Sequence, residues 1–412
     1  MTNGGMGRNF ILLWSGQIIS QLGDSVYHIA LVWLAIEMTA SPAVSGLIVS
    51  AGYLPAILFS LAAGLVVDVA DRRRLMIACA LCQALVVGVV PVVEHFDKLT
   101  PTLLALASFL LACGAVFFVP ARDAIIPSLV EGRQLHHANS LMQISMQLAY
   151  LGGPVLAGAL VDYTGTMGLF ALDAASFLAS AFLLLFIAVP QTAASHPPAA
   201  PVPLPDLPRA AGGSLHEIYQ GLGFAWRDRR LRGLVVLTAL DNLFIMGAVL
   251  LGLPLYVREV LGLGPSYYAL LTAILFCGMI LSSLVVGLNG KFWPKGKMIV
   301  CGIALDALTF MPLFFIESFP QAALAMFVHG LTVPLITINR ATLVHETVPD
   351  QQRGRVFALI NLAVVGFTAL SVLAVGPLCS WLGVQEMFLL VASSGLIFFL
   401  SGMVFRQLWL TP

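Results

Sequence analysis

Four side chains in the first apolar stretch have the types and spacing to handle a proton. Gln17, Gln21, Asp24 and His28 follow at intervals of four, three and four, which puts them on one face of a helix. Asp24 and His28, at i and i+4, can reach one another there. Burial favours the neutral forms of such a pair, while pairing favours the ionised forms. A site poised between the two can take up and release a proton. The plainer alternative is a hydrogen bond that packs helices and never titrates. A second acid, Asp241, stands 217 residues after Asp24 with Asn242 beside it, and is the other proton-binding candidate. Asn139, Gln143, Gln147 and Tyr150 form a further polar stripe. The expected walls of a substrate cavity are Gln17, Gln21, Tyr27, Gln143, Gln147, Asn242, His329 and Asn361. Asp173, followed by small residues, and Asp306, without polar sequence neighbours, read as packing groups.

The elements that must carry these residues follow from composition. The chain has 412 residues, 59% of them apolar and 10% charged, with no net charge. Its mean hydropathy is +0.96. Soluble globular domains carry about 25% charged residues, so an ordinary soluble enzyme and a nucleic-acid binder are excluded. Apolar runs of roughly 20 residues recur, the length of a helix that crosses a bilayer. They predict an all-α polytopic membrane protein with twelve transmembrane helices, near 10–37, 43–67, 75–93, 101–122, 139–162, 167–189, 231–257, 265–289, 297–316, 320–343, 355–381 and 385–407. Of the 20 lysines and arginines, all but Lys98 and Arg258 fall at the ends or loops on one side. The positive-inside rule places that side, and both termini, in the cytoplasm. Asp24 then lies near mid-bilayer, where a charge costs roughly 2.5–3.5 kcal/mol and needs a reason.

Seven prolines between Pro190 and Pro208 mark a linker, and Leu215 to Arg232 reads as a basic amphipathic helix. The expected organisation is a half at 1–189, a cytoplasmic Pro-rich linker and helix at 190–230, and a half at 231–412. The halves repeat one another. Asp24 answers Asp241, Arg122 answers Arg340 at 218 residues, and Gly153-Pro154 and Gly64 answer Gly376-Pro377 and Gly287 at 223. Parallel six-helix repeats are a transporter architecture. The six cysteines read as small buried apolar residues without a metal or redox spacing. With no phosphate-binding loop and no catalytic set, neither ATP-driven transport nor an enzyme is expected.

The loop after the second span reads Gly64-Leu65-Val66-Val67-Asp68-Val69-Ala70-Asp71-Arg72-Arg73. It resembles the loop of the major facilitator superfamily, with Val69 in place of the usual first arginine. Asp71 where the second glycine is usual, Ser20 to Asp24, Val119 to Arg122 and Gly354 to Phe357 are similar to the macrolide-efflux-like and siderophore-exporter-like branch. Gly153-Pro154 with Gly158 resembles the antiporter motif of the fifth helix, with Ala157 where a glycine is usual. The resemblance implies the superfamily fold and alternating access. It implies a cytoplasmic gate of Gly64, Asp68, Asp71, Arg72, Arg73 and Arg122, in which Asp68 pairs with Arg122 or faces a helix N-terminus. It also implies export of a small amphipathic molecule, drug-like or siderophore-like, in exchange for protons across the cell (inner) membrane. No cofactor is expected beyond the proton gradient; no metal and no nucleic acid are expected, only a small-molecule substrate, the lipid bilayer and a monomer. A lysophospholipid flippase, or a ferroportin-like divalent metal exporter suggested by Gly23-Asp24 with His28, is the alternative. A non-transporting scaffold is a third reading, and the retained intramembrane acids speak against it.

Overall fold

The computed structural model describes residues 7–188, 223–289 and 293–411, and all of their regular structure is helical. The Pro-rich linker and the first part of the expected amphipathic helix, 215–222, lie outside the described residues. The helices are α1 (Arg8–Thr39), α2 (Pro42–Ala51), α3 (Leu54–Val69), α4 (Arg72–His95), α5 (Pro101–Leu129) and α6 (Leu135–Leu185) in the first half of the chain. The second half holds α7 (Arg229–Gly247), α8 (Leu253–Glu259), α9 (Pro265–Asn289), α10 (Lys295–Leu308), α11 (Phe319–Thr347), α12 (Asp350–Leu382), α13 (Val384–Val404) and α14 (Arg406–Trp409). Among the described residues, ten helical stretches are long and apolar enough to cross a membrane, and Val384–Leu400 is a shorter apolar one.

Local chemistry explains the ends and breaks. The Asp71 side chain caps α4 by accepting from the Arg74 amide at 3.0 Å, and Thr100 caps α5 ahead of Pro101. The expected second span is two helices, broken at Gly52-Tyr53 just before Pro55. α6 runs for 51 residues, about twice what a bilayer takes. Gly165, at φ 65° and ψ 177°, breaks it where the sequence predicts the loop between two spans; glycine reaches that conformation without a Cβ penalty. A π turn at Ala248–Gly252 joins α7 to α8. Pro254 follows it and cannot donate to the carbonyl one turn back.

Large apolar side chains face outward on many helices, among them Leu81 and Leu85 on α4, Phe182 on α6 and Ile397 on α13. Such a surface belongs in lipid. Cys82 and Cys277 share it, so not all six cysteines are buried as expected.

Glycines set the closest approaches. A Cβ at Gly23 of α1 would strike Ser176 and Asp173 of α6, and one at Gly153 of α6 would strike Ser25 of α1. α1 is thus held by both arms of α6. Across the halves, a Cβ at Gly46 would stand 2.9 Å from the Val372 carbonyl of α12, and one at Gly158 would stand 3.2 Å from Ala269 of α9. Arg258 donates to the Ile36 carbonyl beside this seam. All of these lie toward the end opposite Arg8. At the end that holds Arg8, Arg72 and Leu185, positions Gly64 and Gly287 face open space. The halves are therefore joined at the far end and parted at the near end.

Candidate functional site

The polar face of α1 becomes one wall of a cavity of about 530 Å3 within the first half. Gln17, Gln21, Asp24, Tyr27 and His28 all line it, as the spacing predicts. α2 to α6 supply the other walls, including Tyr53 at the break between α2 and α3, Gln83, Ser108, Arg122 and Tyr150. The His28 ring is exposed to the cavity and meets the Tyr27 ring edge-on, with centroids 5.7 Å apart. Asp24 is half-buried on the cavity wall. Among the described residues no hydrogen bond or ion pair holds its carboxylate, so the expected bond to His28 is not made. Gln21 Oε1 and the Tyr27 hydroxyl are buried without hydrogen-bond partners. Buried polar atoms are nearly always satisfied, so orphans around a cavity mark where a solute or water takes the missing role.

Arg122 brings positive charge to the near end of this cavity. Its Nη1 donates to Gln17 Oε1 at 3.3 Å, and its Nη2 pairs with Asp123 at 2.8 Å. The expected Asp68–Arg122 contact is absent in this conformation, and Asp68 is exposed. Both residues belong to the same half, and the Arg122 guanidinium is instead taken up by Asp123 and Gln17. Arg72 Nη1 donates to the Ala124 carbonyl at 2.9 Å, beside the Pro127 that interrupts α5. Arg73 Nε donates to the Leu184 carbonyl at 2.9 Å, and its Nη2 to Leu185, at the C-terminal end of α6. A guanidinium is favourable against carbonyls at a helix C-terminal end. These two arginines therefore tie helix ends together inside one half. Asp71 serves as the α4 cap and pairs with Arg74 at 3.7 Å.

The helix-5 motif touches the site indirectly. Gly153 admits Ser25, the neighbour of Asp24, and Gly158 admits α9 at the seam. Pro154 is buried between them.

Other expected wall residues lie elsewhere. Gln143 and Gln147 are exposed and outside the cavity wall; one turn on, Tyr150 lines it and stacks on Phe276 of α9 at 6.0 Å. Asn242 is buried, donating to the Thr238 carbonyl at 2.8 Å and accepting from Thr368 of α12 at 3.3 Å. It packs helices, as two hydrogen-bonded amide and hydroxyl groups do. Asn361 is exposed on α12 away from the wall. His329 is 2% exposed and bound to Asp306 and Thr309. Asp241 does not face the Asp24 cavity either. It is half-buried, its Oδ1 has no partner, and the charges near it are Asp306 and Arg340. Gln83 and Ser108 were not legible as wall residues, because nothing in their own helices repeats around them.

A second pocket, about 620 Å3 and almost wholly apolar, lies between α2–α3 and α12, with Leu54, Ile57, Leu362 and Phe367 in its wall. It offers no charged group.

A family model described as a transmembrane secretion effector matches residues 7–411. Macrolide efflux protein A of Streptococcus pyogenes is 23% identical over 356 residues, 85% of this chain and 84% of that protein. The multidrug efflux pump Tap of Mycobacterium tuberculosis is 25% identical over 402 residues, 95% of this chain and 92% of that protein. Among solved structures, a bacterial homologue of the lysosomal transporter Spinster, inward-facing and unoccupied, superposes with a TM-score of 0.73 at 14% identity, covering 96% of this chain and 95% of that one. A bacterial homologue of the iron transporter ferroportin, also inward-facing, gives 0.71 at 16% identity, covering 97% and 98%. At these identities the structural likeness shows the fold.

Proposed function

The chain belongs to the transmembrane secretion effector family, a branch of the major facilitator superfamily, and we propose that it exports small amphipathic molecules in exchange for protons. It is a multi-pass membrane transporter of an efflux family and not an enzyme. The observation that carries the finer reading is the unpaired Asp24 carboxylate on the wall of the cavity, beside the orphaned polar atoms of Gln21 and Tyr27. A carboxylate without a protein partner is free to exchange a proton for a substrate group. The surrounding walls are apolar and aromatic, with Phe118, Phe177, Tyr53 and Tyr150, which suits a drug-like or siderophore-like solute.

In this reading the chain crosses the membrane twelve times, with α6 crossing once on each side of Gly165 and α13 supplying the last crossing. Residues 1–189 and 231–412 are the rocking halves and 190–230 the linker. The near end, rich in lysine and arginine, faces the cytoplasm of a cell membrane, so the conformation is inward-facing. Asp68, exposed here, meets a helix N-terminus of the second half when that end closes, while a pairing with Arg122 needs only a side-chain rearrangement within the first half; Gly64, Asp71, Arg72 and Arg73 build the loop that presents it. A metal cargo is less well served: among the described residues no group of three or more His, Cys, Asp and Glu could hold an ion. The small-molecule substrate and the bilayer are the expected partners of a monomer.

Transport into inside-out proteoliposomes tests the reading. An acidic lumen should drive accumulation of a macrolide or a dye of similar size, and a protonophore should abolish it. Accumulation indifferent to the protonophore would contradict proton exchange.

A further inference from the structure

The second half of the chain contains a buried ionisable cluster that the cavity does not use. Asp306 of α10 is 3% exposed and His329 of α11 is 2% exposed. His329 Nδ1 lies 3.2 Å from Asp306 Oδ1 and 2.9 Å from the Thr309 hydroxyl. Thr309 also reaches the Asp306 carbonyl, at 2.5 Å. The Thr332 hydroxyl reaches both Asp306 Oδ1 and, at 2.6 Å, the His329 carbonyl.

The repeat within the chain supplies an internal control. Gln83, Leu111 and Gly114 stand 223, 218 and 218 residues before Asp306, His329 and Thr332, at the offsets of the other repeated landmarks. They meet in the same way: Gln83 Nε2 donates to the Leu111 carbonyl at 3.3 Å, and Gly114 leaves the room its side chain fills. One neutral amide is thus enough to join the helices at this place in the first half. The second half puts an acid and an imidazole there, and a group that costs more to bury needs a further use.

We propose that Asp306 and His329 form a proton-binding site of the second half, distinct from the Asp24 cavity. The hydroxyls explain how it holds or gives up the proton without losing its bonds. With Asp306 ionised, the Thr332 hydroxyl donates to Oδ1 and the His329 Nδ1–H donates to Thr309 or to Oδ1. With Asp306 protonated, its O–H donates to Thr332, which turns its own hydrogen to the His329 carbonyl. Each hydroxyl has two partners in reach, so the bonds at Asp306 Oδ1 and His329 Nδ1 are kept in either state. Taking up one proton leaves the pair without net charge.

The surrounding charges are few. α7 contributes Asp241, which feels the Asp306 charge, and α11 contributes Arg340, which feels Asp241. α13 presents Gly395 to α10 and Phe388 to Phe310, and its one titratable residue, Glu386, lies at its start beside Gly383. Lys295 and Lys297 open α10, about three and two and a half turns before Asp306, and Arg406 of α14 is exposed.

The test is a proton count on purified protein in weakly buffered detergent, followed with a pH dye between about pH 5 and 8. Asp306→Asn should bind one proton fewer than the wild type, and His329→Gln should keep the count but move the midpoint. If Asp306→Asn does not fold, the triple variant Asp306→Gln/His329→Leu/Thr332→Gly rebuilds the neutral packing of the first half and should also lose one proton. A wild-type count in a folded variant, judged by its melting temperature, overturns the proposal. No substrate is used, so failure here leaves the role of Asp24 standing, and failure of Asp24 leaves this site standing.

Discussion

Replacing Gly376 with alanine should drive the protein out of the conformation described. Gly376 of α12 lies against α2, where an added Cβ would run into the Pro42 carbonyl and stand 2.9 Å from the Ala43 Cα. Both obstacles are backbone, so no side chain can swing aside. Overpacking of this kind costs typically about 1–3 kcal/mol. The strain exists only while the far end is closed, so it acts as a bias between two states. A bias of that size shifts their ratio about 5- to 150-fold. Spin labels on Arg74 of α4 and Leu288 of α9, both exposed at the near end, report the separation of the halves. Cys82 and Cys277, exposed as well, would first be changed to serine. The variant should gain a population with the labels closer together and lose part of the long-distance one. An unchanged distance distribution in folded Gly376→Ala would show that the seam does not open in the cycle, or that glycine is not what lets it close.

Four further outcomes follow from the site. Arg73→Ala removes two carbonyl contacts at the end of α6 and should cost about 1–2 kcal/mol, seen as a lower melting temperature. Arg74→Ala removes only an exposed pair and should stay within about 0.5 kcal/mol. Gly153→Ala should lower both melting temperature and transport by pressing on Ser25, and Ser25→Gly should restore most of each; failure of the rescue would show that the defect is not this contact. Asp68→Asn should leave stability alone, because Asp68 is exposed and unpaired here, and yet slow transport several-fold and raise cytoplasmic accessibility of the cavity. Normal transport would remove Asp68 from the gate.

The helical fold and the α1 face were legible because each depends on one period read along one helix. Gln17, Gln21, Asp24 and His28 needed only the spacing of a helix and a cavity on one side. The α6 stripe was misread for the complementary reason. Period alone gives a face and not its neighbour, and the face of α6 against α1 is the one with Ser145, Ala149 and Gly153, which leaves Gln143 and Gln147 outside. His329 and Asp306 lie on different helices, so their contact depends on how α10 and α11 cross. Their isolation in sequence hid it. The offsets of the repeat held the missing signal, since Gln83, Leu111 and Gly114 mark the same crossing in the first half. The Asp68 partner could not be fixed from sequence because Arg122 has competing acceptors, Asp123 beside it and Gln17 on α1, and these hold it here.

The central claim is that proton exchange at Asp24 drives uphill movement of substrate. Asp24→Asn keeps shape and hydrogen-bonding capacity at the cavity wall while removing the titration. Reconstituted into proteoliposomes with and without an imposed pH gradient, the variant should still exchange substrate and equilibrate it down its gradient, and should fail to accumulate it against one. His28→Gln, measured alongside, should shift the pH optimum and keep accumulation. Uphill transport by Asp24→Asn at the wild-type rate would contradict the account and leave Asp24 a packing residue.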